Sequence, residues 1–376
     1  MIPFNKPFLV GKETEYIKEA VNSGKISGNG LFTKKCQTFF EESFDFKKAL
    51  LTTSCTDALE MAAMLIDIKP GDEVIAPSYT FVSSVLAFTR QGAKIVFADS
   101  RRDHPGIDEK SIEKHITSKT KAIVVVHYAG VACDMDVIMN IANKHNLYVI
   151  EDAAQAIDSY YKGKALGSIG HLGAFSFHET KNIISGEGGL LTINDLRFVN
   201  RSEILWEKGT NRSAFFKGEV DKYGWVDTGS SFLPSELIAA FLFAQLEHLK
   251  EIQDKRKKIW ETYYYELHDL QKAGKIELAV IPDFATNNAH MFYVTTKNIE
   301  ERDALITYLK SNNIHAVFHY LSLHQSPYHI KNLKGNIQEL PESDRYANCL
   351  LRLPLYFSLK VEEVEGIVNT IKAFYK

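Results

Sequence analysis

Residues 173–189 read Gly-Ala-Phe-Ser-Phe-His-Glu-Thr-Lys-Asn-Ile-Ile-Ser-Gly-Glu-Gly-Gly, and the chain is organised around Lys181 at their centre. The alternating apolar run Ala174 to His178 predicts a strand that delivers one lysine to its end, with Gly186, Gly188 and Gly189 letting the backbone turn tightly beside it. A lysine fixed among apolar neighbours loses solvation, which lowers its pKa and leaves more of the neutral amine that attacks carbonyls. Most loop lysines are simply solvated, because lysine is almost never fully buried. The segments on either side of Lys181 decide between these readings.

Upstream, Ala49-Leu50-Leu51 reads as a strand, 55–67 as an amphipathic helix, Glu73-Val74-Ile75 as a strand and 80–91 as a helix. Lys94 to Ala98, Ala122 to Val126 and Leu147 to Ile150 add strands, with a helix at 134–145 before the last. Strands alternating with helices imply an α/β fold with a mostly parallel sheet covered on both faces, whose ligands bind beyond the carboxyl ends of the strands. Residues 1–46 predict a helix and a loop. Downstream, 191–208 reads as strand then helix, 209–233 as an irregular stretch, and Pro234 to about Leu270 as one long helix. Residues 280–376 offer strands at 290–296 and 314–318 and helices at 301–311 and 360–374, a small α+β unit. At 376 residues the chain exceeds one typical domain. The expected division is 1–245, a large domain with its N-terminal segment, and 246–376, a linker helix and a small C-terminal domain.

Three further segments fall at predicted strand ends. Thr52-Thr53-Ser54-Cys55-Thr56 sets hydroxyls and free N–H groups at a helix N-terminus, where a phosphate binds well, although capping alone also explains the pattern. Pro77-Ser78-Tyr79-Thr80-Phe81 brings aromatics to the same edge, or simply to the core. Glu151-Asp152-Ala153-Ala154-Gln155 places an acid where it is either a helix N-cap or the partner of a cofactor. A lysine for a Schiff base, a carboxylate that keeps a pyridine nitrogen protonated and an anion site are together what pyridoxal phosphate requires.

Composition narrows the classes. Hydrophobic residues at 45%, charged residues at 24% and a net charge of −3 suit a globular enzyme and give no reason to expect nucleic acid or an anionic membrane as partner. The four cysteines, Cys36, Cys55, Cys133 and Cys349, form no CxxC pair, so neither a zinc site nor a disulfide framework is expected and a reduced cytoplasm fits. No signal-like amino terminus and no run of eighteen apolar residues is present, so neither export nor membrane insertion is expected.

With these segments quoted, the chain resembles the DegT/DnrJ/StrS family of sugar aminotransferases over essentially its whole length. The resemblance rests on Ser54-Cys55-Thr56, Pro77 to Val82, Glu151 to Gln155 and Phe175 to Asn182. His178 to Asn182, Lys208 to Ser213 and Asn288 to Tyr293 resemble most closely the branch that makes dTDP-4-amino-4,6-dideoxygalactose for enterobacterial common antigen. The resemblance implies the fold type I of pyridoxal-phosphate-dependent transferases, with Lys181 carrying the cofactor as a Schiff base and Asp152 on its pyridine nitrogen. It implies Gln155 on the ring hydroxyl, Phe81 stacked on the ring, and Ser54, the backbone at Cys55, Thr56 and Ser176 on the phosphate. Where many relatives place an asparagine donated by the neighbouring subunit, this chain has Ser231, which is expected to substitute.

The reaction so implied takes the amine of L-glutamate to C4 of dTDP-4-dehydro-6-deoxy-D-glucose, in a homodimer with shared active sites, and releases 2-oxoglutarate. A 3-keto sugar nucleotide, or the gluco epimer of the product, is the alternative within enzymes. A cofactor-binding regulator without turnover is the alternative outside them. For the sugar diphosphate, Arg212 beside Lys208, and His319, Tyr320 and His324 from the second domain, supply cations and donors, against a plain reading as solvated surface. No metal ligand set is expected.

Overall fold

The computed structural model describes residues 1–332 and 337–376. Its strands in chain order are β1 (Ala49–Thr52), β2 (Glu73–Pro77), β3 (Lys94–Ala98), β4 (Thr120–Val126), β5 (Tyr148–Asp152), β6 (Tyr160–Tyr161), β7 (Lys164–Ala165), β8 (Leu172–Ser176), β9 (Gly189–Ile193), β10 (Glu277–Leu278), β11 (Phe292–Thr295) and β12 (Leu350–Leu353). Seven of these form one sheet in the order β1-β9-β8-β5-β4-β2-β3. The β2–β3, β2–β4, β4–β5 and β5–β8 pairs are parallel, and only β9, paired with β8 and with β1, runs against the rest. Six of the seven strands therefore end at the same edge, the edge at which a ligand of such a sheet binds.

Both faces are covered, which is why the strands read as continuous apolar runs. Alternate residues go to opposite sides. Leu51, Ile75, Val125, Val149 and Phe175 pack beneath helices Leu31–Phe44, Met135–His145 and Glu236–Glu247. Leu50, Val74, Val124, Ile150 and Ala174 pack beneath Cys55–Leu65, Ser83–Arg90 and Val199–Trp206. A further core joins helices Leu249–Lys272, Ile299–Ser311 and Val361–Phe374 to the antiparallel β10-β11-β12 sheet, and takes in Tyr79 and Tyr128 from the large sheet's edge.

Three expectations are corrected. The helix anticipated from 234 to about 270 is two helices, Glu236–Glu247 and Leu249–Lys272, broken at His248, whose φ of −108° and ψ of 13° leave the helical region. The break falls where the chain passes from the sheet's core to the second one, so the apolar pattern changes face although it never lapses. Residues 314–318 form no strand but two single bridges, Ile2 with Ile314 and Val317 with Arg352. The amino terminus thus occupies an edge that the local pattern assigned to a strand. The partner of β11 is instead β12, residues the pattern left unassigned.

Candidate active site

Lys181 lies in the connection between β8 and β9, five residues past the strand end at Ser176 and not at the strand end itself. Its amide donates to the His178 carbonyl at 2.9 Å, and Gly186 at φ +80° turns the chain back toward β9. Gly189 serves otherwise than expected. It is the first residue of β9, facing Thr52 of β1 on one side and Ser176 of β8 on the other. A Cβ there would sit 2.5 Å from the Cys55 nitrogen, so only glycine lets the start of the Cys55–Leu65 helix approach the two strand ends.

That helix start is the anion site. Ser54 caps it, its Oγ accepting from the Asp57 amide at 3.1 Å, which leaves the N–H groups of Cys55 and Thr56 in the first turn for an outside acceptor. Thr56 Oγ1 and Ser83 Oγ lie 2.8 Å apart across the pocket wall. The cap and the phosphate cradle are therefore one structure: the Ser54 oxygen accepts for the cap, while its hydroxyl proton and the neighbouring N–H groups are left to serve a ligand.

Asp152 ends β5, and no helix follows it, so the N-cap reading falls. Its carboxylate is buried, with Oδ1 accepting from the Ala154 amide at 3.1 Å and Oδ2 from Ser84 Oγ at 2.6 Å. Ser84 has one proton and gives it to Asp152, so Thr80 Oγ1, 2.8 Å from Ser84 Oγ, must donate to Ser84. Burial pushes the Asp152 carboxyl above the usual range, against the pull of the Ser84 and Ala154 hydrogen bonds and of Lys181. Lys181 is displaced the other way: burial lowers its ammonium below the ordinary lysine range, while Cys55 and Asp152 pull it back.

Ser54, Cys55, Thr56, Phe81, Asp152, Gln155, Ser176, Lys181, His319 and Tyr320 all line one cavity of about 650 Å³. Tyr79, by contrast, is core, as the plain reading of its segment had it, and Phe81 presents an exposed ring to the cavity 6.1 Å from that of Tyr320. Gln155 is held with Oε1 accepting from the Ala129 amide at 2.6 Å and Nε2 donating to Tyr320 Oη at 3.0 Å, which leaves one N–H for a ligand. His319 stacks on Tyr320 at 3.5 Å between centroids and meets Tyr128 Oη through Nδ1 at 2.7 Å. The groups present fit pyridoxal phosphate: an amine, a buried carboxylate to which no cation among the described residues is bonded, and two helix N–H groups at the anion end.

Arg212 and Ser231 are not brought to this cavity by their own chain. Arg212 is exposed, 4.0 Å from Glu207 and with its guanidinium over the Phe216 ring, and Ser231 pairs with Glu207 in an isolated bridge. His324 is buried elsewhere, its Nδ1 2.7 Å from Ser78 Oγ. The cavity adds residues that sequence reasoning missed, chiefly His290 and Arg352. Arg352 donates from Nη2 to the Phe318 carbonyl at 3.3 Å, lies over the Phe4 ring at 4.6 Å, and keeps a buried Nε without a partner among the described residues. No local signal marks it, for it is a single arginine in an apolar strand, 171 residues from Lys181 (352 minus 181). Ser84 is as silent, a serine within an amphipathic helix.

The DegT/DnrJ/EryC1/StrS aminotransferase family matches residues 8–372. The spore coat polysaccharide biosynthesis protein SpsC of Bacillus subtilis is 32% identical over 391 residues, an alignment covering 100% of this chain and 97% of SpsC. GDP-perosamine synthase of Escherichia coli O157:H7 is 32% identical over 378 residues, covering 100% of this chain and 98% of its own. Among solved structures, Spr1654 of Streptococcus pneumoniae in its PLP-form superposes with a TM-score of 0.90 at 27% identity, covering 99% of this chain and 98% of that one.

Proposed function

Since the chain belongs to the DegT/DnrJ/EryC1/StrS aminotransferase family and is a pyridoxal-phosphate-dependent enzyme of fold type I, we propose that it aminates a nucleotide-linked 4-keto-6-deoxyhexose with L-glutamate as donor. The observation that supports this most is the meeting of Lys181, Asp152 and the Ser54–Thr56 helix start on one cavity. Bound there, the cofactor supplies a carbonyl that exchanges for an amine and a ring that accepts electrons. The chain's own residues do the rest. Ser54, Thr56, Ser176 and the N–H groups of Cys55 and Thr56 hold the phosphate, and Phe81 covers one face of the ring. Asp152 keeps the ring nitrogen protonated, and the spare N–H of Gln155 meets the ring hydroxyl. Lys181, an amine of lowered pKa, carries protons to and from the reacting carbon in both halves of the reaction.

The donor's carboxylates call for a cation, and Arg352, whose guanidinium has one hydrogen bond among the described residues, is the residue we assign to one of them. The sugar diphosphate falls to His319 and Tyr320 from the same chain. Arg212 and Ser231 lie outside their own cavity, so in this reading they serve the site of a second copy, in a homodimer with shared active sites. The substrate we assign is dTDP-4-dehydro-6-deoxy-D-glucose, and the product dTDP-4-amino-4,6-dideoxy-D-galactose, in the cytoplasm and in polysaccharide synthesis. A second reading, a GDP-linked sugar, is favoured by the relatives named GDP-perosamine synthase. Incubation with dTDP- and GDP-linked 4-keto and 3-keto sugars plus glutamate, read by mass spectrometry, separates these, and ring couplings of the product separate axial from equatorial amines. No exchange of oxygen for nitrogen in any of them would sink the proposal.

A further inference from the structure

Arg352 and Phe4 border the cavity together, and the first residues of the chain decide how the arginine is held. Ile2 pairs with the segment that follows helix Ile299–Ser311: its amide donates to the Asn313 carbonyl at 2.7 Å, and its carbonyl accepts from the His315 amide at 3.0 Å. The same segment reaches Arg352 two residues later, where the Val317 and Arg352 backbones exchange hydrogen bonds of 3.1 and 2.8 Å and the Phe318 carbonyl takes Nη2. Residues 313–318 thus carry the amino terminus at one end and Arg352 at the other. Phe4, two residues on from Ile2, comes to lie with its ring centroid 4.6 Å from the guanidinium carbon. Beyond Phe4 the chain is pinned to the opposite wall: Asn5 Nδ2 donates to the Glu179 carbonyl at 3.3 Å, in the loop that carries Lys181, and Phe8 stacks on Phe357 with centroids 3.7 Å apart. Burial lowers the Arg352 guanidinium below the ordinary arginine value, and the groups that pull it back are the phenols of Tyr128, Tyr320 and Tyr79. A cation so placed gains from the negative face of a ring, and a ring face, unlike a carboxylate, takes up none of its N–H donors.

We propose that Phe4 is a positioning residue for Arg352: its ring supports the guanidinium from one face and leaves the N–H groups not given to Phe318 for a carboxylate of the amino donor. This rests on the assignment of Arg352 to such a carboxylate. If Phe4 merely closed the cavity, any apolar side chain of similar bulk would serve as well, so leucine, which keeps the bulk and loses the ring face, separates the two roles.

The test compares Phe4→Leu, Phe4→Tyr and Arg352→Gln in the full-length, cofactor-loaded protein. Titration calorimetry with glutarate, a dicarboxylate that has no amine to transfer, reads the carboxylate site without turnover. Phe4→Leu should weaken glutarate binding and raise the glutamate KM by one common factor, on the order of 2–30-fold, with kcat and the KM for dTDP-4-dehydro-6-deoxy-D-glucose unchanged. Phe4→Tyr, which keeps the ring face, should behave as wild type. Wild-type values in Phe4→Leu, equal losses in Phe4→Leu and Phe4→Tyr, or a fall in kcat at unchanged glutamate KM would overturn the proposal. Arg352→Gln tells its failure from that of the assignment beneath it. If glutarate binds Arg352→Gln as it binds wild type, the carboxylate assignment fails and takes the role of Phe4 with it, whereas a loss in Arg352→Gln without one in Phe4→Leu removes Phe4 alone. If the aminotransferase reading itself were wrong, wild-type protein would show no turnover, while the glutarate comparison would still decide for or against Phe4.

Discussion

Ser84 Oγ donates a 2.6 Å hydrogen bond to Oδ2 of Asp152, and this short contact orients the buried carboxylate that faces the cofactor cavity. Removing the donor in Ser84→Ala leaves one oxygen of a buried anion unsatisfied. The expected cost is about 1–3 kcal/mol of stability, together with slower turnover at unchanged cofactor stoichiometry. Denaturant unfolding and steady-state rates check the two, and wild-type behaviour in both would show that Asp152 needs no such support.

Asp152→Asn separates stability from function. In the cofactor-free protein burial raises the carboxyl's pKa, so its contribution to stability is fully present below the ordinary carboxylate pKa and is lost as pH rises through the raised value. The asparagine variant does not lose it. Its melting temperature relative to wild type should therefore climb between acid and neutral pH, while turnover falls roughly 10²-fold or more because the amide cannot keep the ring nitrogen protonated. A relative melting temperature that falls with pH would contradict the sign.

Borohydride treatment of the loaded protein should leave a pyridoxyl group on Lys181, and Lys181→Ala should abolish both half-reactions. Peptide mass mapping locates the label. Its appearance on another lysine would displace Lys181 from the centre of the site.

Arg352→Gln should raise the KM for glutamate by about tenfold or more, the loss of one charge-assisted hydrogen-bond pair, and leave the KM for the sugar nucleotide unchanged. An effect on the sugar alone would move Arg352 to the other half of the site.

Arg212→Ala should raise the sugar KM and spare the glutamate half-reaction, since glutamate carries no nucleotide. If Arg212 serves a second copy, refolding it together with Lys181→Ala should restore activity that neither parent has at the substrate concentration used. A mixture no more active than its parts would remove the shared site.

The chemistry and the sheet were legible locally, because both are written in short segments. Strands buried on both faces must be apolar throughout, which is why Ala122 to Val126 is found within β4 as anticipated, and a cap followed by a helix at Ser54 announces an anion site within five residues. Lys181 and Asp152 could be named for the same reason: Asp152 ends a recognisable strand and Lys181 follows another by five residues. What surrounds them could not, because hydrogen-bond partners and cavity walls are set by which strand lies beside which. Ser84 reaches Asp152 through the crossing from β2 into its helix, and Asn182 reaches His290 across 108 residues of sequence through the packing of Leu249–Lys272. The break at His248, where the apolar face turns from one core to the next without a glycine or proline to mark it, and Arg352, one charge in an apolar strand, acquire their meaning only once the two cores meet.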